Sequence, residues 1–594
     1  MINLKINGKA ITAPEGSTIL EAAKLGGINI PTLCYLKDVH KVGACRVCAV
    51  EVEGARNLQA SCIVKAWDGM VVNTNSKRVR DARRVLYGLM VEDHPKECMT
   101  CVRNQNCELQ ELGYTLGTPD CAATKMIPPA QLDISPSITR DTRKCILCRR
   151  CVTACNQIQQ VGAIFSQNRG YDTKISPAME LPLEDGNCTM CGQCVVVCPT
   201  GALTETADVD KVWNALNDPE LRVIVQAAPA VRAALGECFD LPVGTRVTAK
   251  LAAALRELGF DDVFDTNFGA DVTIVEEGTE LLSRLKAHLE GDKVVVPMIT
   301  SCSPGWVKHI EHEFPDQLPH LSSCKSPHCM LGALVKSYYA KKINVDPKKI
   351  FTVSVMPCTA KKYESQREVM NVDGIRDVDA VITTRELARM IKSAGIDFVN
   401  LPDAEFDYPL GLSSGAADIF GVTGGVMEAA LRTAYSIITG NPIPFTNLHI
   451  APIVGFETIK TAEITIKGAK PEYKQFEGIT LKIAVTSGLA GANVLLKEIE
   501  AGTSPYHFIE VMGCPGGCIA GGGQPRSKDA DFREKRAKAL YNEDESKKIR
   551  ASHENPDVQK LYKEYLGEPN GHLAHKLLHT SYTPRGKFNE RLKK

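Results

Sequence analysis

Two stretches of this chain, KCILCRRCVTAC from Lys144 and NCTMCGQCVVVCPTGA from Asn187, each carry four cysteines spaced CxxCxxCxxxC, and the second is closed by proline. Two such runs predict a pair of 4Fe-4S cubanes, each run giving three thiolates to one cubane and sending its fourth across to the other. One centre then takes Cys145, Cys148, Cys151 and Cys198, and the other takes Cys188, Cys191, Cys194 and Cys155. The crossing fixes the cubanes near one another and makes the segment an electron conduit. Structural zinc is a poor reading of this spacing.

The whole chain holds 23 cysteines in 594 residues, most of them at or before Cys198. An odd count in closely spaced groups is the pattern of metal ligands rather than of disulfides. The amino terminus, MINLKINGKAITAPEG, lacks a basic stretch followed by an apolar run, so a cytoplasmic location with reduced thiols is expected. Lys and Arg (70) balance Asp and Glu (70), leaving no net basic field to gather a nucleic acid. No stretch approaches the run of about eighteen apolar residues that a membrane span needs. The length leaves room for three to five domains.

The first segment alternates apolar and polar residues (INLKING, ITAPEG), passes through a helical pattern (STILEAAKLGG) and returns to strand at CAVEVEG and GMVVNT. Cys34, Cys45, Cys48 and Cys62 lie in it at wide, uneven gaps, the arrangement of a plant-type 2Fe-2S centre rather than of the matched pairs of a zinc finger. Next, HPKECMTCVRNQNC sets His94, Cys98, Cys101 and Cys107 within fourteen residues. Alone, one imidazole and three thiolates would suit zinc; beside so many cluster motifs they suit a further 4Fe-4S centre. Replacing a thiolate by neutral imidazole removes a negative charge and raises the reduction potential. Cys121 has no partner at ligand spacing and is read as a plain thiol.

Beyond residue 209 the pattern changes. Helical stretches such as VTAKLAAALRELG and TELLSRLKAHL alternate with apolar runs RVIVQAA, KVVVPMI, KIFTVSVMP and DAVITT, which argues α/β architecture with largely parallel sheets. Ligands of open α/β sheets sit where strands stop. Cys302, Cys358 and the pair Cys514 and Cys518 fall at three such ends, in TSCSPGW, MPCTAKKYE and EVMGCPGGCIAGGGQP.

Those three loops resemble the signature loops of FeFe hydrogenases, and the resemblance covers most of the chain, the amino-terminal cluster patterns included. It implies an H-cluster, a 4Fe-4S cubane bridged by a cysteine sulfur to a diiron subsite with CO, CN and azadithiolate ligands. Carried over by position, Cys358, Cys514 and Cys518 would hold the cubane, Cys518 as the bridge. Lys361 would donate to a cyanide, Met356 and Met512 would pack beside the diiron unit, and Ala228 and Pro229 would line it. Cys302, Glu277, Ser322, Glu280 and Arg284 match the proton relay; taken alone, Glu277, Glu280 and Arg284 read as one charged helix face.

One departure stands out. The family's first loop reads TSCCP, with a relay cysteine followed by a cubane ligand, and here the second is Ser303. Either Ser303 ligates through oxygen, or Cys302 becomes the ligand, or another thiol such as Cys324 or Cys329 takes the place. His572, His575 and His579 fall at helical spacing with no thiol or carboxylate beside them in sequence, and packing or exposure is expected of them.

The resulting expectation is a multidomain α+β chain. A ferredoxin-like β-grasp domain (1–78) carries one 2Fe-2S cluster, a small domain (79–125) the His- and Cys-ligated 4Fe-4S cluster, and a bacterial-type ferredoxin domain (126–209) two 4Fe-4S clusters. A large α/β H-cluster domain (210–594) ends in a helical extension. The expected reaction is reversible H2 oxidation and proton reduction. No glycine-rich dinucleotide fingerprint is found. The overall pattern is similar to catalytic subunits of NAD(P)-linked, possibly electron-bifurcating hydrogenases, whose flavin and NAD(P) sit on partner subunits. A stand-alone ferredoxin enzyme and a low-turnover H2 or redox sensor are the alternatives, and maturation proteins are implied.

Overall fold

The computed structural model describes residues 1–37, 39–117, 132–444 and 459–586. Cys121 lies outside them. The chain divides into two compact units, one of residues 1–158, 162–186 and 197–204, the other of 159–161, 187–196 and 205–594.

The first unit opens with a five-stranded mixed sheet in the order β2-β1-β5-β3-β4, formed by β1 (Ile2–Ile6), β2 (Lys9–Ala13), β3 (Ala49–Val52), β4 (Gln59–Ala60) and β5 (Val71–Asn73). Alternation along β1 sends Ile2, Leu4 and Ile6 inward onto helix α1 (Ile19–Leu25), which buries Ile19, Ala22 and Ala23. Thr18 and Glu21 close a capping box at the start of α1, satisfying two otherwise orphaned amides. Helix α2 (Lys77–Glu92) packs Val79, Arg83 and Tyr87 inward, and α3 (Glu108–Leu116) buries Leu109 and Leu112 beside Tyr87.

The second unit holds two four-stranded sheets. In the first, β6 (Arg222–Ala227), β7 (Asp262–Asp265), β9 (Ile350–Met356) and β10 (Ala380–Thr383) are all parallel, in the order β7-β6-β9-β10. In the second, β8 (Met298–Ile299), β13 (Phe508–Met512) and β12 (Thr480–Ser487) run parallel, and β11 (Ile459–Thr465) is the antiparallel edge. Strands buried on both faces read as unbroken apolar runs, as RVIVQA and IFTVSVM do. The run KVVVPMI yields strand only at Met298 and Ile299; Pro297 has no N–H to give a ladder. Helix α4 (Thr266–Leu289) buries one face between the two sheets' cores, with Phe268 and Val272 in one cluster and Ile274, Leu281 and Leu285 in another.

Candidate active site and metal centres

In the first unit, Cys34, Cys48 and Cys62 are buried and Cys45 is half-buried. Cys48 Sγ lies 3.3 Å from Cys62 Sγ. The Cys34 thiol is bonded to Cys45 and Cys62 and faced by the backbone N–H groups of Cys45 and Ala44, which hold it well below the usual thiol range. Buried Arg83 fixes this loop by donating to the carbonyls of Val47 (3.0 Å) and Ala49 (2.8 Å). All four predicted thiols therefore meet.

Cys145, Cys148, Cys151 and Cys198 line one cavity, so the fourth cysteine of the second run reaches the first three of the first run. Arg150, almost fully buried, binds the Glu108 carboxylate with both terminal nitrogens (2.9 and 2.7 Å) and donates to the carbonyls of Cys34 and Tyr35 (both 3.3 Å). His40 bridges the Cys148 carbonyl (2.9 Å) and the Thr153 hydroxyl (2.7 Å). One arginine and one histidine thus join the Cys34 turn to the Cys145 run. His94 is pushed down to about 4 by burial and by Lys144, leaving the neutral imidazole that a metal ligand must be, and its buried Nδ1 has no hydrogen-bond partner among the described residues. Cys98 is exposed, and Cys101 and Cys107 are half-buried. Cys155 accepts from the Ala163 N–H at 3.3 Å.

In the second unit the three cysteine loops leave the ends of β8, β9 and β13. Thr300 ties the first to the third, accepting from the Val511 N–H (3.2 Å) and, through its carbonyl, from Trp306 Nε1 (3.1 Å). The CPGGC turn needs its glycines. Gly517 has φ +92°, and a Cβ there would lie 2.8 Å from the Thr423 nitrogen. Burial pushes up the thiols of Cys358, Cys514 and Cys518, the last to about 12, and the charge of Cys358 raises the other two further. Three crowded thiols whose burial outweighs the one nearby ammonium, that of Lys361, in a cradle that a single Cβ would fill, fit an iron-sulfur cubane.

The loop of Cys188, Cys191 and Cys194 belongs to this same unit. Thr359, next to Cys358, donates to the Met190 carbonyl at 2.8 Å, and Gln193 donates to the Ala520 carbonyl at 3.1 Å. A Cβ on Gly522 would meet the Cys191 carbonyl oxygen at 2.4 Å. Sequence spacing gave no sign of this seating.

Lys361 donates to the Cys302 carbonyl (3.0 Å) and to Glu364 (2.7 Å). The same Glu364 oxygen takes bonds from His328 Nε2 (2.7 Å) and Ser326 (2.9 Å). Burial opposes ionisation of Glu364, yet Lys361 and His328 hold it down to about 2. Glu364 and His328 were present in MPCTAKKYE and KSPHC but carried no motif role. Met512 packs in one apolar cluster with Cys302 and Cys518; Ala228 and Met356 lie in another, and Pro229 is buried beside Ala230, which packs against Cys518.

Glu277 is fully enclosed on α4, where burial and then the Glu280 charge push it up to about 8, while Oε2 has no hydrogen-bond partner among the described residues. Ser322 sits beside it and donates to Glu280 at 3.0 Å. Arg284 closes the line, donating to Glu280 at 2.6 Å and to the Leu321 carbonyl at 3.0 Å. Burial, with Glu277 next in effect, raises the Cys302 thiol well above its usual value. Packing or exposure is the expectation for the three histidines, and the structure shows both. His572 and His575 are exposed, but His579 is buried, with Nδ1 2.8 Å from the Ser323 hydroxyl and Nε2 3.1 Å from Glu276. Cys324 and Glu280 flank it, groups that linear distance had hidden. Ser323 also donates to Glu280 at 3.2 Å.

With that geometry, a family assignment follows. Residues 221–522 match the iron-only hydrogenase large subunit, C-terminal domain, and residues 530–585 match the iron hydrogenase small subunit. Upstream, residues 1–77 match a 2Fe-2S iron-sulfur cluster binding domain, 83–120 the NADH-ubiquinone oxidoreductase-G iron-sulfur binding region, and 144–202 a 4Fe-4S dicluster domain. The chain belongs to the iron-only hydrogenase family.

Among particular relatives, it is 50% identical over 593 residues to the NADP-reducing hydrogenase subunit HndD of Solidesulfovibrio fructosivorans, covering 98% of this chain and 99% of that one. It is 42% identical over 592 residues to iron hydrogenase 1 of Clostridium pasteurianum, covering 98% and 100%. The apo FeFe-hydrogenase HydA1 from Chlamydomonas reinhardtii, solved as a variant, matches with TM-score 0.58 and 46% identity, over 64% of this chain and all of that one. No helix among the described residues is long and apolar enough to cross a membrane.

Proposed function

We propose that this chain is the hydrogen-activating subunit of an NADP-linked hydrogenase, interconverting H2 with two protons and two electrons. The observation that carries the reading is the meeting of Cys358, Cys514 and Cys518 at strand ends, with Lys361 and the enclosed Glu277 beside them. Cys358, Cys514 and Cys518 would hold the H-cluster, which when bound supplies the open iron position and the bridging amine that split H2. The nearly complete overlap with HndD supports the NADP link.

The protein's own part is to position and to move protons. Lys361, its charge anchored by Glu364, presents a fixed ammonium to the cyanide side of the site. Met512 excludes water beside Cys302 and Cys518, while Ala228, Pro229 and Met356 wall the pocket. Cys302 takes up the proton and Glu277, neutral near pH 7, receives and passes it. Ser322 lies between Glu277 and Glu280, and Arg284 marks the outward end. Cys34, Cys45, Cys48 and Cys62 would hold one 2Fe-2S cluster, and three accessory 4Fe-4S clusters, one of them on His94, Cys98, Cys101 and Cys107, would supply the path for electrons. A flavin- and NAD(P)-binding partner subunit or ferredoxin would exchange them with the chain, and maturation proteins would install the diiron unit.

The test is H2 oxidation by the matured chain with and without partner subunits, using NADP, NAD and ferredoxin as acceptors. NADP reduction that requires the partners supports the reading. Full turnover with ferredoxin alone, and none with NADP, would replace it with the stand-alone enzyme.

A further inference from the structure

The cubane site described above has three thiols, and the place of a fourth is filled by serine. We propose that Ser303 binds the fourth iron of that cubane through its side-chain oxygen, as an alkoxide. The inference rests on the hydrogenase reading and adds to it a ligand of a different element.

Ser303 is the N-cap residue of the helix Pro304–Glu313, with proline in the first helical turn. A serine there ordinarily turns its hydroxyl onto the N–H of the second or third helical residue, a bond worth roughly 1 kcal/mol. Ser303 makes no such bond. Its Oγ points instead to the third loop and accepts from the Gly513 N–H at 3.1 Å, one residue before Cys514. The approach is close enough that a Cβ on Gly513 would come within 2.8 Å of that oxygen. The helix cap is thus given up for a place beside the cubane thiols. An amide N–H aimed at the oxygen also stabilises negative charge on it.

The other candidate thiols have other leading partners. Cys302 has its carbonyl held by Lys361, and the charge felt most by its thiol is that of Glu277, the relay carboxyl. Cys324 groups with Glu280 and His579, and Cys329 with His328 and Glu364. Ser303 is the candidate whose side-chain oxygen takes a backbone hydrogen bond from the third loop, one residue before Cys514.

On binding, the Ser303 O–H bond breaks, an Fe–O bond forms, and the proton leaves to water; no electron is transferred. Alkoxide is a harder donor than thiolate and favours ferric over ferrous iron. The cubane should therefore be more reducing than its all-thiolate counterpart.

The experiment uses the full-length chain produced without diiron maturation, so that the cubane alone reports. Its signal is identified as the one that disappears in Cys514→Ala. In protein labelled with 17O-serine, that signal should carry an 17O hyperfine coupling. Ser303→Cys should keep the cubane, lose the coupling and shift its reduction potential upward. Ser303→Ala should lose iron from the site or change its spectrum, whereas Cys302→Ala should leave spectrum and potential as they are. An unchanged spectrum and potential in Ser303→Ala, or loss of the cubane in Cys302→Ala, overturns serine ligation and leaves the hydrogenase reading standing. A wild-type chain with no Cys514-dependent signal overturns both, so the two failures are told apart.

Discussion

Replacing Glu277 with glutamine separates the two things this carboxyl does. Its pKa lies near 8 against an ordinary 4.5, because burial and then Glu280 disfavour the charge. At pH 7 only about one molecule in ten is ionised. Glutamine, of the same shape and neutral, should therefore keep the wild-type fold near neutrality and, by proton linkage, be about 3 kcal/mol more stable there. It cannot pass a proton, and the loss of a positioned acid–base group costs about 100- to 10,000-fold in rate. The raised pKa also fixes a pH dependence. Below pH 4.5 the group is protonated whether the chain is folded or unfolded, and it contributes no penalty. From there to about pH 8 the unfolded chain releases a proton that the folded chain keeps, and stability falls by up to about 1.4 kcal/mol per pH unit. Above pH 8 the full penalty of a few kcal/mol is present. Glu277→Gln removes it, so the variant should be more stable than the wild type by a few kcal/mol at pH 9 and by less than about 1 kcal/mol at pH 5. Viologen-linked H2 evolution, infrared spectra of the matured site and urea titrations at the two pH values measure the three consequences. Wild-type turnover in a variant with intact spectra would refute the relay. Parallel stability profiles would refute the buried, neutral carboxyl.

Gly517→Ala forces a side chain into a left-handed turn 2.8 Å from the Thr423 nitrogen; it should lose the H-cluster cubane and all turnover while iron in the first unit is retained, as iron analysis and EPR would report. Glu364→Gln leaves the buried Lys361 ammonium without its counter-charge and should destabilise the second unit by about 3 kcal/mol and lower turnover, read by denaturant titration and by shifted cyanide bands. Because Glu364 is held low, its stabilising effect should be present above pH 4.5 and be lost as the pH falls through about 2. Arg150→Ala removes the two-nitrogen bond to Glu108 and the bonds to the Cys34 and Tyr35 carbonyls; a loss of about 3 kcal/mol in the first unit is expected, together with slower electron delivery to a site whose infrared spectrum is unchanged.

What was legible in the sequence is what short-range spacing encodes. CxxC runs place thiolates within one turn, so the meeting of Cys145, Cys148, Cys151 and Cys198 could be read from spacing and the crossing rule together. Strand-end loops were equally open to reading, since unbroken apolar runs such as IFTVSVM stop at the residues that carry the chemistry. Long-range partners were not. His579 meets Ser323 across 256 positions, and nothing in GHLAHKLLHT distinguishes that from a surface helix. The alternatives left open at Ser303 could not be narrowed from spacing either, because the bond that its oxygen takes from the Gly513 N–H spans 210 positions. KVVVPMI looked like a full strand because apolar periodicity takes no account of the amide missing at Pro297.

The seating of the Cys188–Cys194 loop bears on how electrons reach the site. Thr359 is one residue from Cys358 and bonds the Met190 carbonyl; Gln193 lies between Cys191 and Cys194 and bonds the carbonyl two residues past Cys518. Each anchor therefore joins a predicted accessory ligand to a predicted H-cluster ligand by one short chain of covalent bonds and one hydrogen bond. Glycine at 192 and 522 removes the side chains that would otherwise hold the loops apart, since a Cβ on Gly192 would lie 2.3 Å from the Thr359 hydroxyl. The accessory loop and the cubane thiols share one packed unit, and a substitution that loosens either loop should disturb the other. If Cys188, Cys191 and Cys194 hold an accessory cluster, the spacing of these thiols from Cys358, Cys514 and Cys518 is on these grounds a property of the catalytic fold.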